Sequence, residues 1–156
     1  MRLPAVCIVL ALSLVVGPLH AQAPPRDDQA TFEAAANDRW AHPEASAKAL
    51  RRLMEATQNT SVRQQCAATL IGVLASQLHQ YEAATEVLLA EEARLAPQPA
   101  EWLASPDTWQ VGSEDAAAVL ALAEKLVADH PNSAAAWALL GHRATASQKP
   151  ERAVEA

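Results

Sequence analysis

Apolar residues recur along this chain at three- and four-residue intervals, the spacing of one face of an α-helix. Phe32, Ala36 and Trp40 form one such stripe, on a helix that Asp27 and Asp28 can cap and that runs to about Trp40. His42-Pro43-Glu44 then breaks and restarts the chain as a second helix carrying Leu50, Leu53 and Met54, so residues 29–57 read as a hairpin. After the polar link 58–60, Ser61 with Gln64 reads as a capping box opening a third helix, whose face carries Leu70, Ile71, Leu74 and Leu78. A fourth helix, about Tyr81 to Leu95, buries Ala84, Val87, Leu88 and Leu95 and closes at Pro97, giving a second hairpin over 61–97.

The stretch 98–131 has a clear second helix and an interrupted first one. Ser113 can cap the former, with Glu114 and Asp115 in its first turn and Val119, Leu120, Ala123, Leu126 and Val127 as the buried stripe. Pro106-Asp107 falls where the first helix should continue, and Pro inside a helix costs about 3 kcal/mol. Residues 99–104 are therefore expected to form at most a short helix, followed by a loop through Gly112. From Pro131 the chain restarts: Asn132 or Ser133 can cap a helix with Trp137, Leu140, Gly141 and Ala144 on one face. Gly141 in mid-helix calls for a close crossing with a facing helix, which Lys149-Pro150-Glu151 can start and which runs to Ala156.

Pro97 and Pro131 are one 34-residue interval apart, and Gly72 precedes Gly141 by 69 residues, close to two such intervals. Trp137, Leu140, Gly141, Ala144 and Ala153 fall at the spacings of the tetratricopeptide repeat, and Ile71-Gly72 with Ala84 occupies the matching positions earlier, so the chain resembles that family. The resemblance implies an all-α fold of antiparallel helix hairpins stacked as a short solenoid, with the last repeat, 132–156, incomplete. It also implies a concave groove lined by first helices. By position, that groove would hold Thr69, Val73, Ser76 and Gln77 from one unit and Ala138, Leu139, His142 and Thr145 from the last.

The first 21 residues bring in a second theme. Met1-Arg2 precedes an apolar run from Leu3 to Leu19, broken by Gly17-Pro18 and ending in LHAQAPP. One positive charge, a broken apolar run and small residues at cleavage distance predict a secretory signal peptide cut after Ala21, not a membrane span. Residues 22–28 would follow as a disordered lead-in, and 29–156 as the folded domain. Export with one remaining cysteine, Cys66, excludes a disulfide scaffold, so an apolar core must hold the domain together. The many alanines, with a single Phe and a single Tyr, favour closely packed helices. The 12 basic and 18 acidic residues give a net charge of −6, which becomes −7 once Arg2 is lost with the leader. Such a surface suits neither nucleic acid nor anionic lipid.

Chemistry-bearing constellations are sparse. His79 and Glu82 stand three apart, but the helix boundary near Gln80 and the lack of a third ligand argue against a metal site. Cys66 reads as a small buried thiol, Ser147 and Lys149 make no motif, and the three glycines after the leader leave no phosphate-cradling loop. No cofactor and no catalysis are expected. Trp102 and Trp109 flank the Pro106 break: either they form an exposed aromatic patch for a partner, or they fold back to plug the space left by the shortened helix. The function expected is that of an exported scaffold, periplasmic or secreted, holding a peptide or helix in a neutral groove. The unfinished last repeat would offer a face for self-association. The alternative is a helical accessory domain of an envelope enzyme or assembly machine.

Overall fold

A computed structural model describes residues 27–98 and 100–146, and among them the chain is all-helical with no strand. Six α-helices follow in order: α1 Asp28–Asn37, α2 Pro43–Ala56, α3 Thr60–Ser76, α4 Tyr81–Leu95, α5 Ala116–Asp129 and α6 Ala134–Ala146. Short 3-10 turns lie at Asp38–Trp40 and Glu101–Ala104. The expected signal peptide, 1–21, and the helix expected from Pro150 to Ala156 lie outside the described residues. No described helix is long and apolar enough to cross a membrane.

Local chemistry accounts for most boundaries. The Asp27 carboxylate accepts from the Ala30 N–H at 2.9 Å and starts α1, while Pro43 occupies the first turn of α2, where its missing N–H has no intrahelical partner to lose. Asn59, not Ser61, caps α3: its side-chain oxygen takes the Ser61 and Val62 N–H groups at 3.0 and 3.3 Å. Ser61 is already inside the first turn, so the expected capping box with Gln64 does not form; its hydroxyl accepts from Gln65 instead. Between α3 and α4 the chain turns at His79, whose φ of 51° lies in the left-handed region. That turn lets the Gln80 N–H reach the Leu74 carbonyl at 2.8 Å. Ser113, Glu114 and Asp115 precede α5 and do not enter it; Asp115 is its N-cap residue without a side-chain cap, and the Ser113 hydroxyl is turned toward Glu114.

The caps of α6 come partly from afar. Ser133 Oγ accepts from the Ala136 N–H at 3.0 Å and donates to the Glu92 carboxylate of α4, which also takes the Ala135 N–H at 3.0 Å. A carboxylate at a helix N-terminus is favoured by the local dipole and by the unsatisfied N–H groups there. It joins α4 to α6 directly.

One continuous core runs through all six helices. It includes the expected stripes Leu50, Leu53 and Met54 of α2, Leu70, Ile71 and Leu74 of α3, and Val119, Leu120, Ala123, Leu126 and Val127 of α5. α3 ends before Leu78, which nonetheless packs against the core from the turn. Buried alanines such as Ala67, Ala75, Ala84, Ala123 and Ala136 keep the layer between helices thin.

A charged cluster locks α2, α3 and α4 together. Glu91 of α4 is wholly buried and receives Arg63 Nη2 at 2.7 Å and Arg94 Nε at 2.8 Å. Arg63 Nη1 also donates to the Met54 carbonyl at the end of α2, at 2.7 Å. Burial pushes the Glu91 carboxyl up, but the hydrogen bonds and charges of the two arginines outweigh it and hold it below the usual glutamate range.

Candidate binding cleft

The break at Pro106 shapes the surface. After the 3-10 turn Glu101–Ala104 the chain runs between α3 and α6, and each side is pinned by a specific contact. On the α3 side a Cβ at Gly72 would stand 3.1 Å from the Thr108 carbonyl, so the glycine permits that approach. On the α6 side Arg143 Nη2 donates to the Trp109 carbonyl at 2.6 Å. Trp109 is 1% exposed, and its indole N–H donates to the Leu103 carbonyl at 3.0 Å. It fills the space left by the shortened helix. Trp109 as a partner-binding residue is therefore corrected: a side chain enclosed on all sides has no surface for a partner. Trp102 is 39% exposed but lies outside the cleft described next.

That cleft lies between α1, α3 and the loop, with a volume of about 460 Å³. α3 contributes Thr69, Val73, Ser76 and Gln77, the four groove positions expected from the earlier unit, together with Ala68 and Gly72. α1 and the 3-10 turn after it contribute Phe32, Ala36, Arg39 and Trp40, and the loop contributes Asp107, Thr108 and Gln110. Val73 is buried and forms floor, not rim, a correction to its reading as a contact residue. The second expected set does not join them. Leu139 is wholly buried in the core because its side of α6 faces inward with Ala135 and Ala136, so it too is corrected as a contact residue. His142 and Thr145 are exposed on α6, and no α6 residue lines the cleft.

Phe32, Ala36 and Trp40, which share one stripe in the sequence, all line the cleft. Trp40 is 62% exposed on the cleft wall. The Arg39 guanidinium lies 5.2 Å from its ring centroid, within cation–π range, while Arg39 Nη1 donates to the Ala36 carbonyl at 2.6 Å. Arg39 and Asp107 are the charged residues of the lining, and they do not pair with each other. The Asp107 carboxylate has no hydrogen-bond or ionic partner among the described residues. Two wider hollows, about 1000 Å³ between α1 and α2 and about 820 Å³ beside the α5–α6 link, are more open, and in the second the Glu92 carboxylate is already engaged as the α6 cap.

Reactive groups elsewhere have structural partners. His79 Nδ1 lies 3.0 Å from an Asp115 oxygen and 3.0 Å from the Tyr81 hydroxyl, so it faces Asp115 and Tyr81. Burial, with Asp115 adding to it, pushes the Tyr81 hydroxyl up to about 12. Burial likewise pushes the Cys66 thiol up to about 11, which keeps it protonated and inert near neutrality. No group of three metal-ligating side chains comes together among the described residues. Compared with protein-family models, curated proteins and solved structures, the chain matches none.

Proposed function

We propose that this chain is an exported protein-interaction module, similar in plan to tetratricopeptide-repeat proteins, that holds a segment of another polypeptide in the cleft between α1 and α3. The observation that carries the reading is the exposed Trp40 in a concave surface that Thr69, Ser76 and Gln77 also line. A large aromatic left in water inside a recess is costly to the free protein and is the kind of residue that anchors a partner. The apolar run before LHAQAPP supports export. The absence of paired carboxylates or a base-activated nucleophile in the lining supports binding without turnover.

Site-specific photo-crosslinking in the exported full-length chain tests it. A benzophenone side chain at Gln77 should crosslink a polypeptide partner, and Trp40→Ala should remove that product while leaving the helical circular dichroism unchanged. Equal crosslinking from an exposed α1 position outside the cleft, Glu33, or a product insensitive to Trp40→Ala, would overturn the proposal.

A further inference from the structure

The cleft's size and charges narrow what it can take, on the reading that it binds polypeptide. The recess, about 460 Å³, takes up only a short stretch of polypeptide. A helix would bring backbone groups already bonded to one another, which have no use for polar groups in the lining. Extended chain presents bare N–H and C=O groups. The cleft answers them with the side-chain amide of Gln110, which has no partner among the described residues, and that of Gln77, which spends only one N–H on Ser76 at 3.3 Å.

The charges supply the rest. Arg39 comes from the α1 wall and Asp107 from the loop wall, both line one recess, and they are not bonded to each other. Arg39 uses Nη1 on the Ala36 carbonyl, so guanidinium donors remain for an incoming carboxylate. Asp107 has no cationic partner among the described residues. Trp40, with Phe32 and Ala36 on the same wall, offers an apolar surface in the same recess. We infer that the cleft selects an extended segment in which an apolar residue is flanked by an acidic residue for Arg39 and a basic residue for Asp107. In an extended chain, side chains two apart point the same way, about 6.6 Å from one another. The segment therefore reads acid, any residue, apolar, any residue, base, in one chain direction or the other. The matching charges act on register and direction more than on raw affinity, as exposed pairs do.

The probes are four synthetic nonapeptides with blocked ends: GSESLSKSG, its charge reversal GSKSLSESG, and the uniformly charged GSESLSESG and GSKSLSKSG. They are titrated by calorimetry into the full-length exported protein and into its Asp107→Lys variant, whose altered side chain sits on an exposed loop. One of the two mixed-charge peptides is expected to bind about threefold tighter than either uniform peptide. Asp107→Lys should erase that advantage and favour the uniformly acidic peptide. Equal binding of all four, with Trp40→Ala still abolishing it, would overturn the charge selection and leave the polypeptide cleft standing. Heat indistinguishable from buffer for all four, together with crosslinking insensitive to Trp40→Ala, would overturn both.

Discussion

Replacing Trp109 by alanine separates a structural tryptophan from a recognition tryptophan. The side chain is 1% exposed and its indole N–H is bonded to the Leu103 carbonyl at 3.0 Å. Truncating a buried Trp costs about 3–5 kcal/mol through lost transfer free energy and the cavity left behind. The Leu103 carbonyl then loses its donor in a buried setting, which adds about 1 kcal/mol. The loop can relax only partly, because the Trp109 backbone carbonyl stays tied to Arg143 at 2.6 Å. The expected loss is about 4–6 kcal/mol out of the 5–15 kcal/mol typical of a domain, or about 15 °C in Tm. Urea denaturation followed by circular dichroism measures it, with Trp102→Ala beside it. Since Trp102 is 39% exposed and its indole makes no hydrogen bond among the described residues, its truncation should cost about 1 kcal/mol or less. A loss below about 1 kcal/mol for Trp109→Ala, or equal losses at the two positions, would refute the plug.

Three further substitutions probe the frame around it. Glu91→Gln should destabilise the protein by about 2–3 kcal/mol, since it leaves Arg63 and Arg94 without their carboxylate. Because the folded carboxyl sits below its ordinary value, this contribution is present above the usual glutamate pKa of about 4.3 and disappears as pH falls through the folded value. The Tm gap between wild type and Glu91→Gln should accordingly be constant from neutrality to about pH 5 and close below about pH 4, and a gap that widened in acid would contradict the ion cluster. Gly72→Ala gains up to about 1 kcal/mol in helix propensity but brings a Cβ to 3.1 Å from the Thr108 carbonyl, in a turn held by Ser105 and by buried Trp109. A net destabilisation of about 1 kcal/mol is expected in thermal melts, and a stabilised variant would show that the loop yields freely. Cys66, fully buried with its thiol pushed up to about 11, should resist a thiol reagent at pH 8 until denaturant is added; rapid labelling of the native protein would mean that the α3 core opens.

Of the candidate site, half was legible in the order of residues. Thr69, Ser76 and Gln77 were reached from their positions in a helix that resembles the first helix of a repeat, and all three line the cleft with Val73 beneath them. Arg39, Trp40 and Asp107 were not reached. Trp40 completes an apolar stripe with Phe32 and Ala36, and such a stripe looks the same whether a neighbouring helix or an open recess faces it. Asp107 marks a helix break in the sequence, with nothing local to say which wall it joins.

What the chain determined by itself was local. Asp27 starts a helix, Pro43 restarts one, and Pro106 forbids a helix, because capping and proline sterics act within one turn and need no distant partner. The stripe from Val119 to Val127 is of the same kind, a periodicity that any core would bury. Only the tertiary structure decided that Trp109 plugs while Trp40 stays exposed, that Glu92 caps α6, that Glu91 is enclosed by Arg63 and Arg94, and that His79 meets Asp115. All but the Glu91–Arg94 pair of those contacts join residues 28 to 43 positions apart, or depend on whether such a contact is made. Spacing along a helix sets which residues share a face; what covers the face is set by how separate helices pack, and here by a loop that lies between α3 and α6 where a helix could not form.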